Sequence, residues 1–158
     1  MNIKSLFLLL NVIAVIIFSN CTKRPETLTE DYDKDKMELA IEQANNSFGD
    51  FLASFQNPQI GDSAFFLKVR IEDENGIEHF WLGNLTLDAE PFMGIIENDP
   101  GVVKNVVVGQ TYKFYKKDIS DWMYFSNGVM QGNYTLKVLL ESMPKEKADD
   151  IKKSIGWQ

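Results

Sequence analysis

The chain has 158 residues and carries 23 acidic against 16 basic side chains, a formal charge of −7. That balance argues against general nucleic-acid binding, which relies on basic patches that displace counterions, and against adhesion to anionic lipid through a polybasic face. A single cysteine and a single histidine exclude an intrachain disulfide and a zinc-finger type of Cys/His cluster.

Residues 1–20 read as a secretion signal. Lys4 supplies the positive charge, residues 6–18 are almost wholly apolar with Asn11 interrupting, and Ser19-Asn20 lead to Cys21. The apolar run is shorter than the ~20 residues of an ordinary spanning helix. Phe18-Ser19-Asn20-Cys21 resembles a bacterial lipobox, in which the cysteine thiol receives diacylglycerol and the chain is cut before it. The box ordinarily has Leu where Phe18 stands and a small residue where Asn20 stands, but the only cysteine of the chain lies where the motif needs it. The expectation is a lipoprotein held at the membrane by lipid on Cys21; an ordinary signal with an incidental cysteine is the competing reading. Thr22 follows the cysteine, with no Asp there to direct inner-membrane retention, so the outer membrane is favoured and the protein faces the periplasm or the cell exterior. Residues 21–34 are polar, contain Pro25 and read as a flexible tether, and residues 35–158 as a single domain.

The domain opens with a helix. Asp35 and Glu38 have the spacing of a capping box, and Met37, Ala40, Ile41, Ala44, Phe48, Phe51, Leu52 and Phe55 recur at steps of three and four on one face. Asn57-Pro58 ends it. From 64 to 72, Phe65, Leu67, Val69 and Ile71 alternate with Phe66, Lys68, Arg70 and Glu72, the pattern of a half-buried strand. Asn75-Gly76 predicts a hairpin turn. The returning strand, 77–82, puts Ile77, His79 and Trp81 on one face and Glu78, Phe80 and Leu82 on the other, with Gly83 marking a bulge.

Further strands are expected at 85–87, 92–97 and 111–115, while 102–108 reads either way. Asn127-Gly128 is a second hairpin signal, between 122–125 and 129–131. Asn133 then caps a helix carrying Leu136, Leu139, Leu140 and Met143, and Pro144 opens a last helix that Gly156 stops. The fold class is α+β: one N-terminal amphipathic helix on a bent antiparallel sheet, curling toward a half-barrel, with short C-terminal helices.

Several stretches carry a resemblance. Glu78-His79-Phe80-Trp81-Leu82, Asn98-Asp99-Pro100, Val108-Gly109-Gln110-Thr111-Tyr112 and Ile119-Ser120-Asp121-Trp122-Met123-Tyr124 are joined by Asn127-Gly128 and Gly132-Asn133-Tyr134-Thr135-Leu136. Together they resemble the YegJ-like family of bacterial domains over roughly residues 37–143. The Asp-Trp-Met-Tyr block with its following Asn-Gly and Gly-Asn-Tyr-Thr is the most specific part. The resemblance implies a fold without an assigned activity, and it supplies no catalytic residues.

Three groups could carry chemistry. His79 is the only imidazole, but its neighbour Glu78 points to the opposite face of a regular strand and cannot orient it as a dyad. The simpler reading is a partly buried, hydrogen-bonded histidine. Asp118 and Asp121 bracket Ile119-Ser120 before Trp122 and could perform acid/base work, or could cap a turn and hold backbone amides. Two carboxylates are too few for a metal cage, and no cofactor motif is present, so neither a metal nor a cofactor is expected. Trp81, Trp122 and Tyr124 could form an aromatic binding face, or core.

The leading expectation is a non-enzymatic envelope module that recognises a protein or peptide through one face of its sheet, bound to the membrane through Cys21. The alternative is a small hydrolase using His79 with Asp118 or Asp121, which requires those groups to converge.

Overall fold

The structure, a computed structural model, describes residues 32–155 and 157. The signal segment, Cys21 and residues 22–31 of the tether lie outside the described residues.

The predicted long helix is two helices, α1 (Lys34–Asn46) and α2 (Phe48–Gln56), broken at Ser47. The break has a local cause. The Ala44 carbonyl accepts from the Trp122 indole Nε1–H at 3.0 Å and from the Ser47 hydroxyl at 3.3 Å, and that hydroxyl also donates to the Gln43 carbonyl at 2.7 Å. Side chains inserted at a turn in this way bend or end a helix. The first turn is capped two residues earlier than the Asp35–Glu38 spacing predicts: the Asp33 carboxylate accepts from the Lys36 amide at 3.1 Å.

Six strands form one antiparallel sheet: β1 (Asp62–Asp73), β2 (Gly76–Thr86), β3 (Phe92–Ile96), β4 (Thr111–Phe114), β5 (Ile119–Ser126) and β6 (Val129–Gly132). Their spatial order is β4-β3-β2-β1-β5-β6, and the sheet is not closed. Two bulges bend it. Ala64 and Phe65 together oppose Tyr124, and Asn84 and Leu85 together oppose Gly94, with Ala64 and Asn84 left-handed at φ 54° and 45°. The bulge expected at Gly83 therefore falls one residue later, and the separate strand expected at 85–87 is largely the continuation of β2.

The first hairpin turns at Glu74 and Asn75, with Gly76 already paired to Asp73. In the second, Ser126 pairs with Val129 across Asn127 (φ 50°) and Gly128 (φ 79°), the two left-handed residues of a type I′ turn.

Alternation along β1 and β2 sorts the side chains. Leu67, Val69, Ile71, Phe80 and Leu82 face the core, where Ala44, Phe48 and Phe51 of the helices meet them together with Trp122, Ile96 and Phe114. Phe51 and Trp122 lie 5.5 Å apart between ring centres, and Phe65 stacks on Tyr124 at 4.8 Å. Each fully buried Phe or Leu here contributes about 1.5–3 kcal/mol relative to exposure. Residues 102–108 form a loop, and its Val103 and Val106 plug into the same core.

After β6 the chain enters α3 (Tyr134–Ser142) and then α4 (Lys145–Ser154). Ladder pairing with β6 stops at Met123 and Gly132, and the next amide, Asn133, donates to the Trp122 carbonyl at 2.8 Å. The start of α3 thus covers the stretch of β5 edge that β6 leaves open. A second apolar cluster of Leu140, Met143 and Ala148, with Leu136, Leu139, Ile151 and Trp157 against it, joins α3 to α4.

Candidate functional site

The sheet face opposite α1 and α2 carries Lys68 and Arg70 of β1, His79 and Trp81 of β2, and Asp121 of β5. Register places Lys68 between Trp81 and Asp121, and Arg70 beside His79. These pairings come from strands separated by the hairpin and by some fifty residues, so no local sequence signal announces them.

His79 Nδ1 lies 2.7 Å from the Ser120 hydroxyl. That hydroxyl also lies 3.2 Å from the Lys68 carbonyl, which accepts from it. Ser120 is itself buried, so its hydroxyl is not presented to solvent. Burial holds the His79 pKa down at about 4, with the nearby Lys68 and Arg70 charges acting in the same direction. The ring is neutral at pH 7.

Asp118 does not join His79. It lies in a short 3-10 turn (Lys116–Asp118), where its carboxylate accepts from the Tyr115 amide at 3.0 Å. Asp121 is fully buried and every group facing its oxygens is a donor. It accepts from the amides of Trp122 at 2.8 Å, Tyr134 at 3.2 Å and Thr135 at 2.8 Å, and from the Thr135 hydroxyl at 2.6 Å. Two of those amides are the first two of α3, so a carboxylate thirteen residues upstream caps this helix.

Burial is the largest influence on Asp121 and raises its pKa, opposed by the Thr135 donors, the Lys68 charge and the Trp122 amide. Lys68 Nζ donates to Thr135 Oγ1 at 3.0 Å and stands 5.6 Å from the Trp81 ring centre; burial lowers its pKa, with Asp121 pulling the other way.

The three expected binding aromatics do not share a face. Trp122 is 5% exposed, its indole N–H donates into α1, and its ring packs on Phe51 and Tyr134. Tyr124 stacks on Phe65, and its hydroxyl shares a 3.2 Å hydrogen bond with Ser54. Trp122 and Tyr124 are therefore core, and Trp81 alone lies on the opposite face, half-buried under Lys68. Beside it lie half-buried Phe66, Ile95, Met123, Phe125 and Met130, whose alternation and register put them on that same face.

Glu78 is buried on the core side, the face it shares with Phe80 and Leu82. Its carboxylate accepts from the amides of Gly101 at 3.0 Å, Val102 at 2.8 Å and Val103 at 3.3 Å, and so anchors the loop that carries Val103 inward. The Asn98 side-chain oxygen accepts from the Trp81 amide at 2.9 Å and fixes the other end. The Glu-x-x-Trp and Asn-Asp-Pro stretches of the sequence are thus one structural unit. Two surface depressions, one lined by Asn45, Glu90, Tyr115, Lys116 and Lys117 and the other by Asp33, Lys36, Val138, Glu141 and Ser142, include none of His79, Asp118, Asp121 or Trp81.

Residues 34–158 match a family described as "Uncharacterized protein conserved in bacteria (DUF2314)". The chain belongs to this family. A relative, "Uncharacterized protein YegJ" of Escherichia coli K12, is 42% identical over 125 residues, which span 79% of this chain and 80% of that protein. A putative ankyrin repeat protein of Neisseria meningitidis serogroup B is 33% identical over 76 residues, covering 48% of this chain and 30% of its own length. No solved structure matches. DUF2314 has no assigned activity, so any function has to be argued from the side chains.

Proposed function

We propose that this DUF2314 chain is a lipid-anchored module of the bacterial envelope that binds a protein or peptide on the open face of its sheet. One observation carries the binding part of the reading. The helices fill the core from one side of the sheet, and the other side presents Phe66, Trp81, Ile95, Met123, Phe125 and Met130 as half-buried side chains on five adjacent strands. A contiguous apolar sheet face with an aromatic anchor and neighbouring charge has the composition of a recognition surface. The basic leader, the apolar run and the lone Cys21 support the anchor, and the outer membrane is the favoured site because Thr22 follows the cysteine. Among the described residues no helix is long and apolar enough to cross a membrane. The enzymatic alternative has no comparable support, because His79, Asp118 and Asp121 each hold a different structural hydrogen bond.

Two measurements test the two parts separately. Metabolic labelling with an alkynyl fatty acid is expected to mark the wild-type chain and to fail for Cys21→Ser; equal labelling of that variant removes the anchor. A photo-crosslinking amino acid at position 81 is expected to give one saturable adduct in envelopes, competed by excess unlabelled protein. The same group at Leu39, exposed on α1, is the control. Adducts that are absent, or equal at both positions, remove the binding face.

A further inference from the structure

One residue at the end of β6 is used in an unusual way. Asn133 occupies the N-cap position of α3, where asparagine ordinarily satisfies the first helical amides, yet its side chain makes no cap hydrogen bond. Asp121 caps the helix instead. The Asn133 side chain points at sulfur: its Nδ2 lies 3.3 Å from Met130 Sδ and 3.6 Å from Met123 Sδ. Its Oδ1 is buried without a hydrogen-bond partner, and the residue is 4% exposed. A buried amide that spends its donors on weak thioether acceptors and leaves its stronger acceptor unsatisfied is an unfavourable arrangement in a folded core.

The backbone dictates the convergence. Met123 pairs directly with Gly132, and Met130 is the diagonal neighbour on the same face. Gly132 (φ 76°) and Asn133 (φ 53°) are both left-handed, and that double turn aims the asparagine side chain back across the strand. Met123 and Met130 are half-buried on the open sheet face. Phe66 and Phe125, the cross-strand partners of Met123 and Met130, flank them.

We propose that Met123, Met130 and Asn133 form a binding site for a soft monovalent cation of the Cu(I) or Ag(I) kind. Two thioether sulfurs select soft ions over hard ones. The donor set is neutral, and desolvation penalises higher charge steeply, so a monovalent ion is favoured over Zn²⁺ or Cu²⁺. Rotation of the Asn133 amide by half a turn would bring Oδ1 to the position of Nδ2, between the sulfurs, where an ion would supply the partner it lacks. Among the described residues no group of three or more His, Cys, Asp and Glu side chains could hold a metal, so this site is of a different chemical kind.

The test uses purified protein with carbon-13 methionine methyl groups, titrated with Ag(I) as a redox-inert probe. The expected result is a saturable 1:1 shift of two methyl signals, those lost in Met123→Leu and in Met130→Leu, with the remaining methionine signals and a parallel Zn²⁺ titration unchanged. Leucine is a volume-conserving replacement for methionine, so both variants keep the fold. Each is expected to weaken Ag(I) binding at least about tenfold, a loss that removing even a supporting partner of a metal ligand produces. No saturable shift in the wild-type protein, equal shifts of all methionine methyls, or unchanged affinity in both variants would overturn the proposal.

Discussion

Gly132 offers a controlled measurement of how tightly β6 is packed on β5. Three glycines share nearly the same left-handed conformation: Gly132 at φ 76°, Gly128 at 79° and Gly109 at 80°. Their surroundings differ. A Cβ at Gly128 or Gly109 meets nothing within 4 Å, whereas at Gly132 it would fall 2.3 Å from the Trp122 carbonyl oxygen and 2.4 Å from Trp122 Cε3. Alanine at any of the three incurs the left-handed backbone penalty, about 1–2 kcal/mol.

At Gly132 a further overpacking term of about 1–3 kcal/mol is added, because one atom in the way is main chain and the other belongs to a ring wedged against Phe51 and Tyr134. Urea unfolding followed by tryptophan fluorescence reads the difference. With a slope of about 2 kcal/mol per molar urea, Gly128→Ala and Gly109→Ala are expected to lower the midpoint by about 0.5–1 M and Gly132→Ala by about 1–2.5 M. If Gly132→Ala falls within about 0.5 kcal/mol of the other two, the close contact is not real and the reasoning fails.

Two further outcomes follow from the same geometry. Asp121→Asn turns one acceptor into a donor facing the Thr135 amide and leaves Lys68 without its buried counter-charge, so a loss of about 2–4 kcal/mol is expected by urea unfolding; less than about 1 kcal/mol would contradict the capping role. His79, the only histidine, is expected to titrate near pH 4 by NMR. Since its unfolded value is about 6.5, the neutral ring supports the fold fully above that pH and the support is lost as pH falls toward 4. His79→Gln should therefore flatten the stability profile between pH 6.5 and 4. A midpoint near 6.5 would mean that the ring is solvated.

Much of the fold was legible because it is written in local periods. The three-and-four spacing from Met37 to Phe55 announced the helical layer, and the alternation around Val69 and Phe80 announced the central strands. The break at Ser47 was hidden because it depends on a tryptophan indole that arrives from β5. Residues 102–108 read either way because only Val103 and Val106 turn inward, on a loop that the Glu78 carboxylate clasps from another strand, while Val102 and Val107 are exposed.

The opposite orientation of Glu78 and His79 followed from strand period alone. The partners of Asp121, Lys68 and Asn133 did not, because strand register and the left-handed turn at Gly132–Asn133 bring them together. Trp122 and Tyr124 show the limit of composition. A run of aromatics describes a core and a binding face equally well until the bulge at Ala64 settles which way Phe65, and with it Tyr124, must point.

The split between two apolar clusters has a consequence for how the molecule breathes. The sheet and the paired helices α1 and α2 share one core, while Ala148 and Ile151 of α4 join the small cluster built on α3. The exposed Lys145–Asp149 ion pair along α4 adds little to hold it. Opening of α4 therefore exposes few apolar side chains and leaves the Asp121 anchor of α3 intact. The C-terminal helix is a low-energy subunit of the native state, able to exchange its amides through local excursions on a timescale that the sheet does not share.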